Sequence, residues 1–423
     1  MSRRSAPQES IRSAHQSPSI AVIGGGAAGY FAAITAAEAK PAASVHIFEQ
    51  SRRVLAKVAI SGGGRCNVTH HCFEPKELAR FYPRGSRELR GAFFHWQPQD
   101  TIDWFESRGV KLKTEADGRM FPTTDDSQTI IDCLQKAADR AGVSLHLKTG
   151  VSNVARQDDD SFRLELTNGK TVEANRLILA TGGGKNNIGH RIASGLGNRI
   201  TELAPSLFTF NIQDPLLTDL AGLSLPRVSV THSDSKLQQT GPVLVTHWGL
   251  SGPGILKLSA WGARTFQQLD YRFRIVVNWL GDSNPESARD ALEEAKRLHA
   301  RKALASVNPF DFPKRFWERL LEVSSLPSHT QWAQLPKKGL NQLVERITRS
   351  ELQVDGKSTN KEEFVTCGGV DLRDVDFKTM QSKHCPGLHF AGEALDIDGV
   401  TGGFNFQAAW TTGRIAGQAA AEH

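Results

Sequence analysis

Three glycines near the N-terminus have the spacing of a turn that binds a dinucleotide phosphate. Gly24, Gly26 and Gly29 follow a short apolar run and precede an alanine-rich stretch, which is the order strand, turn, helix. Gly24 permits the tight turn, Gly26 lets backbone N–H groups approach a pyrophosphate, and Gly29 lets helix and strand pack closely. Glu49 lies 20 residues beyond Gly29, where a carboxylate accepts hydrogen bonds from ribose hydroxyls. The spacing therefore predicts a dinucleotide site.

Two further glycine turns favour FAD over NAD as that dinucleotide. Thr181-Gly182 closes a buried-strand run, and a turn there can approach the dinucleotide from the other side of the crevice. Glu393 follows another apolar run and can bond the ribityl or pyrophosphate region. The glycine turn 399–403 opens a terminal helix, whose N–H groups suit the negative charge of a reduced flavin.

A second fingerprint for a nicotinamide dinucleotide is missing from the sequence. The glycine-rich run 182–187 lacks the last glycine of the motif. We therefore expect no dedicated NAD(P)H domain, and we expect NAD(P)H to act as a transient reductant in the cleft.

With three other segments, these motifs make the chain similar to a known flavoprotein family. The matching segments are 24–29 with Glu49, 61–67, 246–253, 367–370 and 390–407. This family includes aminoacetone oxidase, a bile-acid enone reductase and ribosomal-RNA dihydrouridine synthase, and its FAD-binding domain carries an inserted β-barrel and a helical domain. One departure is visible, because Leu55-Ala56 precede Lys57 where many relatives have Gly-Arg. The phosphate or flavin role of Lys57 therefore stays open.

The resemblance implies which residues face the reacting part of the flavin. The Ser61–Asn67 loop would lie against the isoalloxazine, with Arg65, Cys66 and Asn67 near the reacting centre. Cys66 is a candidate proton donor, with a space-filling thiol as the alternative. From the β-domain, His247 and Ser251 are the polar candidates, and a structural histidine is the alternative for His247. The predicted FAD-binding set is Gly24, Gly26, Ala27, Ala28, Gly29, Glu49, Gln50, Lys57, Ser61, Gly62, Gly63, Gly64, Arg65, Cys66, Val151, Ala180, Thr181, Gly182, Gly392, Glu393, Gly402, Gly403, Phe404, Asn405 and Phe406.

The elements around these motifs predict an α/β fold with an insertion. The apolar run 19–23, the helical pattern of 30–39 and the run 45–48 open a doubly wound domain. Short alternating segments from about residue 206 predict a small antiparallel β-domain, and a helical pattern follows it. We predict a Rossmann-like FAD-binding domain over 19–205 and 361–423, an inserted β-barrel domain over 206–283 and a helical domain over 284–360.

Composition narrows the class of protein. The 423 residues are 39% hydrophobic and 23% charged, as in a globular protein of more than one domain. No apolar run approaches the roughly 18 residues of a membrane-spanning helix, so we expect no membrane insertion. The five cysteines are an odd, scattered set, which predicts reduced thiols in the cytoplasm. Cys66 and Cys72 lack a second ligand pair at finger spacing, so we expect no metal.

The N-terminal residues 1–18 are rich in serine and arginine and nearly free of acids. This composition predicts a disordered tail. An organellar transit peptide has a similar composition, and that alternative stays open. The sequence does not indicate an oligomeric state.

Three substrate classes fit a flavin of this kind: uracil in structured RNA, a small enone, and a small amine or aminoketone oxidised with oxygen. A non-catalytic flavin-binding protein is a further alternative. The net charge of +6 and the pI near 9.1 favour ribosomal RNA over a small-molecule substrate. A basic cluster in the helical insertion can contact phosphates and stack bases, but Phe316 and Leu320 have the helical spacing of core residues, which favours a solvated charged face over a core. The cluster consists of Lys296, Arg297, Arg301, Lys302, Lys314, Arg315 and Arg319 facing only Asp311 and Glu318, with Phe310, Phe312, Phe316 and Trp317 interleaved.

Overall fold

The computed structural model describes residues 18–185, 187–358 and 365–422. The predicted tail, except for Pro18, and the predicted boundary at 360–361 lie outside these residues. The strands are β1 (Ser19–Ile23), β2 (Ser44–Phe48), β3 (Thr69–His70), β4 (Leu112–Thr114), β5 (Arg119–Pro122), β6 (Ser144–His146), β7 (Val151–Arg156), β8 (Phe162–Leu166), β9 (Thr171–Ala174), β10 (Arg176–Leu179), β11 (Ala204–Ser206), β12 (Phe210–Asn211), β13 (Ser224–His232), β14 (Gln238–Thr246), β15 (Gly249–Ser251), β16 (Arg272–Asn278), β17 (Ser350–Asp355), β18 (Val365–Cys367), β19 (Val375–Asp376), β20 (Gln381–Ser382) and β21 (Leu388–Phe390).

The α-helices alternate with these strands in the first part of the chain and cluster after β16. They are α1 (Ala27–Ala39), α2 (Ala56–Gly64), α3 (Pro75–Ala79), α4 (Ser86–Ala92), α5 (Pro98–Glu106), α6 (Ser127–Arg140), α7 (Ile188–Gly195), α8 (Pro253–Trp261), α9 (Ala263–Gln268), α10 (Pro285–Leu298), α11 (Lys314–Val323), α12 (Lys337–Thr348) and α13 (Phe404–Glu422). No described helix is both long enough and apolar enough to cross a membrane.

A central sheet carries the N- and C-terminal parts of the chain, in the order β19-β20-β21-β10-β1-β2-β6. The five strands from β21 to β6 are parallel. The apolar residues of β21, β10, β1 and β2 are buried, as expected for a parallel sheet covered on both faces, whereas Leu145 of the edge strand β6 is exposed. The sheet is therefore the Rossmann-type core that the sequence predicts.

The terminal helix α13 packs directly on the fingerprint helix α1. A Cβ at Gly413 would lie 2.7 Å from the Ala28 carbonyl oxygen, and a Cβ at Gly417 would collide with the Ala32 carbonyl oxygen. Two missing side chains on one face of α13 thus allow the two helix backbones to approach closely.

Strands β6 and β7 are separated by a break at 147–150, because the chain there pairs with the residues that follow β2. The Lys148 N–H donates to the Ser51 carbonyl at 3.0 Å, and the Thr149 N–H donates to the Glu49 carbonyl at 2.9 Å.

The insertion contains an antiparallel sheet in the order β12-β15-β14-β13-β16-β17. Its two edges meet, since the Asn211 N–H donates to the Gly356 carbonyl at 2.9 Å and the Ser358 N–H donates to the Thr209 carbonyl at 3.1 Å. The sheet is therefore a nearly closed barrel. The last strand, β17, lies in the range that we assigned to the helical domain, so α10–α12 interrupt the barrel instead of following it, and they share one core with it. The domain limits themselves remain a prediction.

The two chain segments that connect the central sheet with the insertion lie side by side. Strand β11 leaves the FAD-binding part and β18 returns to it, and they pair antiparallel with Ala204 opposite Cys367. This two-stranded ribbon joins the two parts of the chain.

Candidate functional site

Four predicted motifs meet at one edge of the central sheet. The fingerprint turn follows β1, Glu49 follows β2, Thr181-Gly182 follows β10, and Gly392-Glu393 follows β21. These strands are adjacent and parallel, so their carboxyl ends share an edge. Ligands of open α/β sheets bind in the crevice outside that edge.

The fingerprint glycines serve different physical needs. Gly24 has a φ of +110°, which disfavours side chains, and a Cβ at Gly29 would collide with the Gly24 carbonyl oxygen. Gly26 has an extended backbone, with φ −87° and ψ −172°. A Cβ at Gly26 would meet no protein atom within 4 Å. Gly24 and Gly29 therefore shape the turn, whereas Gly26 borders open space at the start of α1, where a phosphate binds favourably.

The Glu49 carboxylate is held in place by backbone N–H groups. Its Oε2 accepts from the Gly25 N–H at 2.7 Å and its Oε1 accepts from the Ser51 N–H at 2.8 Å. The remaining lone pairs of both oxygens are available for ribose hydroxyls. The break before Val151 brings Gly150 against Gln50, since a Cβ at Gly150 would lie 3.1 Å from the Gln50 Cβ. The three predicted residues Glu49, Gln50 and Val151 thus lie in one place.

The residues of this edge fit an FAD. Lys57 Nζ lies 2.6 Å from Glu393 Oε2, so the two meet across the crevice. Two buried oxygens, Thr181 Oγ1 and Glu393 Oε1, have no hydrogen-bond partner among the described residues. The hydroxyls of a ribityl chain are donors of the kind that Glu393 lacks. Gly182 has a φ of +74°, and a Cβ there would lie 3.8 Å from Glu393 Oε2. The turn therefore lies against the Glu393 carboxylate.

The predicted loop 61–67 begins inside α2. Helical dihedrals end at Ile60, and Gly62, Gly63 and Gly64 all have positive φ, between 58° and 85°. Only glycine adopts such a run at low cost. A Cβ at Gly63 or Gly64 would meet nothing within 4 Å. The loop therefore presents open backbone, as a surface for a planar ligand requires.

Arg65 and Cys66 are held by contacts with the surrounding protein. The Arg65 guanidinium donates to Glu115 at 2.6 Å and lies 4.0 Å from the Phe121 ring centroid. Cys66 is fully buried, and burial raises the pKa of its thiol to about 12. The thiol is therefore neutral at physiological pH. These contacts support a role for both residues in holding the loop's shape.

Asn67 joins the loop to the C-terminal glycine turn. With its amide oriented so that both groups are satisfied, Oδ1 accepts from the Gly403 N–H at 2.9 Å and Nδ2 donates to the Thr69 carbonyl at 3.0 Å. Gly402 and Gly403 have φ of +131° and +94°. Two motifs that lie far apart in sequence therefore form one wall.

The predicted residues Phe404, Asn405 and Phe406 stabilise this wall from within. Phe404 is buried, and its carbonyl accepts from the Tyr82 hydroxyl at 2.6 Å. The Asn405 amide donates to and accepts from the backbone of Gly399, at 2.9 and 2.8 Å. Phe406 stacks on Trp410.

His70 is a residue of this wall that the sequence reasoning missed. Its Nδ1 lies 2.9 Å from the Gly402 carbonyl oxygen, and its ring stacks on Phe404 with centroids 4.5 Å apart. Burial lowers the pKa of His70, and the Gly402 carbonyl opposes that shift. No role was predicted for His70, although its position three residues after Asn67 was a signal.

His247 and Ser251 lie in the barrel. His247 is exposed in the turn between β14 and β15. The Ser251 hydroxyl accepts from Thr209 at 2.9 Å, within the same sheet. Among the described residues, neither side chain forms a hydrogen bond with the glycine turns. Helix α8 follows at once, and its Ala260 carbonyl accepts from Arg84 of the FAD-binding part at 2.6 Å.

In the structure, the basic cluster of the insertion lies over a core. Its aromatic residues Phe312, Phe316 and Trp317 are buried in the core of the insertion because they lie on the apolar face of α11 and the loop before it. They therefore do not stack exposed bases. Several cations have protein partners that we did not consider, since Arg297 pairs with Glu294 at 2.6 Å and Arg319 with Glu322 at 3.0 Å.

Each of the five cysteines is a free thiol. Among the described residues, no group of three or more histidine, cysteine or acidic side chains is placed to hold a metal ion.

The Rossmann-type sheet with glycine turns at its carboxyl edge and the similarity to known flavoproteins together identify the chain as an FAD-dependent oxidoreductase. Residues 18–419 match the family model of HI0933-like proteins with a Rossmann domain, and the chain belongs to this family. It is 31% identical to the ribosomal RNA dihydrouridine synthase of Escherichia coli (strain K12), over 92% of this chain and 95% of that one. It is 28% identical to the 3-dehydro-bile acid delta(4,6)-reductase of Clostridium scindens, over 95% of this chain and 99% of that one.

A solved structure supports the fold independently. The 3-ketosteroid-delta4-(5alpha)-dehydrogenase of Rhodococcus jostii RHA1 superposes with a TM-score of 0.50 at 15% identity, covering 99% of this chain and 100% of that chain.

Proposed function

We propose that this protein reduces an activated carbon–carbon double bond, with uridine in ribosomal RNA as the substrate and dihydrouridine as the product. The observation that carries the proposal is the similarity, along 92% of the chain, to a ribosomal RNA dihydrouridine synthase. A small enone is the second candidate, because the bile-acid reductase is similar over nearly the same length. Both substrates present the same chemical problem, an alkene conjugated to a carbonyl.

In this proposal the crevice at the sheet edge holds FAD along its length. The turn at Gly24–Gly29 and the start of α1 would bind the pyrophosphate, and Glu49 would accept from the adenosine ribose. Glu393 and Lys57 would bond the middle of the cofactor, since Glu393 Oε1 is buried without a partner among the described residues. The wall formed by 61–67 and 402–406 would lie against the ring system.

When bound and reduced by its electron donor, FAD would supply a hydride to the alkene carbon β to the carbonyl, and a proton from the protein or solvent would complete the neighbouring carbon. The chain's own contribution is electrostatic. The N-terminus of α13 directs its first N–H groups towards the wall, where they favour negative charge. The Gly403 N–H donates to Asn67 Oδ1, and this bond holds the turn from which α13 starts. Cys66 stays neutral because burial raises the pKa of its thiol, so it can only donate a proton at high energetic cost.

The turnover requires a reductant, and we propose NAD(P)H as a transient donor. A cytoplasmic location fits both this donor and the five free thiols. We propose no partner beyond the substrate and the donor.

The test is the nucleoside composition of ribosomal RNA. A strain that lacks the gene should lose a dihydrouridine from its rRNA, measured by mass spectrometry of digested RNA. The wild-type gene should restore it, and a Gly26→Val gene, which lacks the pyrophosphate approach, should not. An unchanged dihydrouridine content in the deletion strain would reject RNA as the substrate and leave the small enone.

A further inference from the structure

A cavity beside the Thr181–Gly182 turn contains no residue of the predicted FAD set. Its volume is about 510 Å³, which lies within the range of sites for small organic ligands. Lys185, Arg191 and Ser194 lie on its wall, and Ile200 and Leu203 form an apolar floor.

The cavity is cationic. Lys185 and Arg191 are both exposed, and neither has an ion pair with another described residue. Among the described residues that line the cavity, none is a carboxylate. Two unneutralised cations beside an apolar floor suit an anionic group carried on an organic body.

A buried histidine provides an independent sign of a missing ligand. His190 lines the same cavity, and its exposed fraction is 6%. Neither of its ring nitrogens has a hydrogen-bond partner among the described residues, and the Ala394 backbone lies near the ring without forming a bond of good geometry. A buried imidazole without a partner is costly, and a ligand oxygen would satisfy it.

Hydrogen bonds of Asn187 connect the cavity with the FAD crevice. The Asn187 side chain caps α7 by accepting from the Gly189 N–H at 2.8 Å. Its amide nitrogen also donates to the carbonyls of Thr181 and Gly182. A ligand at the start of α7 would therefore lie one residue layer from the turn that faces the flavin.

We propose that this cavity binds a phosphate group of the nicotinamide dinucleotide that reduces the flavin. The proposal rests on the proposed function, because it assigns a place to the electron donor of that reaction. A compact site with two cations, one buried imidazole and an apolar floor suits a phosphate on a nucleoside. An RNA backbone would instead require a longer track of cations.

The test uses the FAD-loaded protein and calorimetric titration with NADP⁺ and NAD⁺, which bind without reacting. The double variant Lys185→Gln/Arg191→Gln should bind the dinucleotide about 10-fold or more weakly, because it loses two charge-assisted contacts. The matched control is Arg163→Gln/Lys170→Gln, which removes the same charge from the exposed hairpin of β8 and β9 and should bind as the wild type does.

The pattern of losses identifies the phosphate. Weaker NADP⁺ binding with unchanged NAD⁺ binding would assign the 2′-phosphate to the cavity, and equal weakening of both would assign the pyrophosphate. Unchanged binding of both, or no binding by the wild type, would overturn the proposal, as would a loss confined to RNA oligonucleotide binding. None of these outcomes would alter the dihydrouridine content of the deletion strain, so the proposed function is tested separately.

Discussion

Individual glycines of the crevice are required for two separable reasons. Gly29 has no room for a side chain, because its Cβ would collide with the Gly24 carbonyl oxygen. Gly26 has room and an ordinary extended backbone, so only a ligand would exclude a side chain there. The same glycine motif therefore contains one residue that the fold requires and one that the proposed cofactor requires.

We predict opposite outcomes for valine at these two positions. The free energy of unfolding of the Gly26→Val apoprotein should lie within about 1 kcal/mol of the wild-type value, since valine suits extended backbone. The variant should nevertheless be purified without FAD. Gly29→Val should lower the free energy of unfolding by about several kcal/mol, because the backbone must move to make room for the side chain. Denaturant unfolding of apoprotein and flavin absorbance after gel filtration measure the two effects. A Gly26→Val protein that retains FAD would remove the pyrophosphate from this turn.

Among the elements, the terminal helix α13 positions the wall of the crevice and packs on the fingerprint helix. Its first residues continue the 402–403 turn, and its middle packs on α1 through Gly413 and Gly417. It is also tied to the loop before it, since the Gly392 N–H donates to the Thr412 hydroxyl at 2.9 Å. A shift of α13 along α1 would therefore move the wall of the crevice.

We predict that Gly417→Ala displaces α13. Its Cβ would collide with the Ala32 carbonyl oxygen, and overpacking of this kind costs about 1–3 kcal/mol. The apoprotein should unfold at lower temperature, and flavin content should fall with it. Gly91→Ala is the control, because Gly91 is a helical glycine with nothing within 4 Å of its Cβ, and it should be neutral or slightly stabilising. Equal stability of both variants would contradict close α1–α13 packing.

At the scale of the whole molecule, a buried ion pair within the FAD-binding part also bonds to the insertion. Asp398 is fully buried and pairs with Arg84, whose guanidinium also donates to the Ala260 carbonyl of α8. The Ser206 hydroxyl of the connecting ribbon donates to Asp398 at 2.8 Å. Arg264 of α9 pairs with Asp396 at 2.8 Å. Four segments from both parts therefore meet just before the 399–403 turn.

We predict that Arg84→Met destabilises the protein by about 3–5 kcal/mol at neutral pH, because it leaves the Asp398 charge buried and unpaired. Burial already raises the pKa of Asp398, and Arg84 opposes this shift; without Arg84 the pKa rises further. A carboxyl with a raised folded pKa favours the folded state at low pH and loses that contribution as pH rises. The difference in the free energy of unfolding between Arg84→Met and the wild type should therefore become smaller as the pH falls.

Urea unfolding across neutral to mildly acidic pH measures this narrowing. Arg80→Met serves as the control, since Arg80 pairs with Glu77 on the surface and should cost under about 1 kcal/mol at every pH. A constant gap for Arg84→Met would show that lost packing, and not the buried charge, causes the destabilisation.

The sequence alone determined the turn chemistry and the order of the elements. Gly24–Gly29, Glu49 and the turns after β10 and β21 were predicted, and the sheet order brings them to one edge. This was possible because a turn's backbone conformation depends on the volume of its own side chains, and because parallel strands bring their carboxyl ends together.

Only the tertiary structure decided which distant groups meet. Lys57 contacts Glu393 across 336 positions, Asn67 accepts from the Gly403 N–H, and His70 lies under Gly402. The same is true of the insertion, where charge clustering left an exposed aromatic surface as an alternative but Phe316 and Trp317 are buried. The reason is physical: such pairings depend on how sheets and helices pack, and residue types and local spacing leave that packing undetermined.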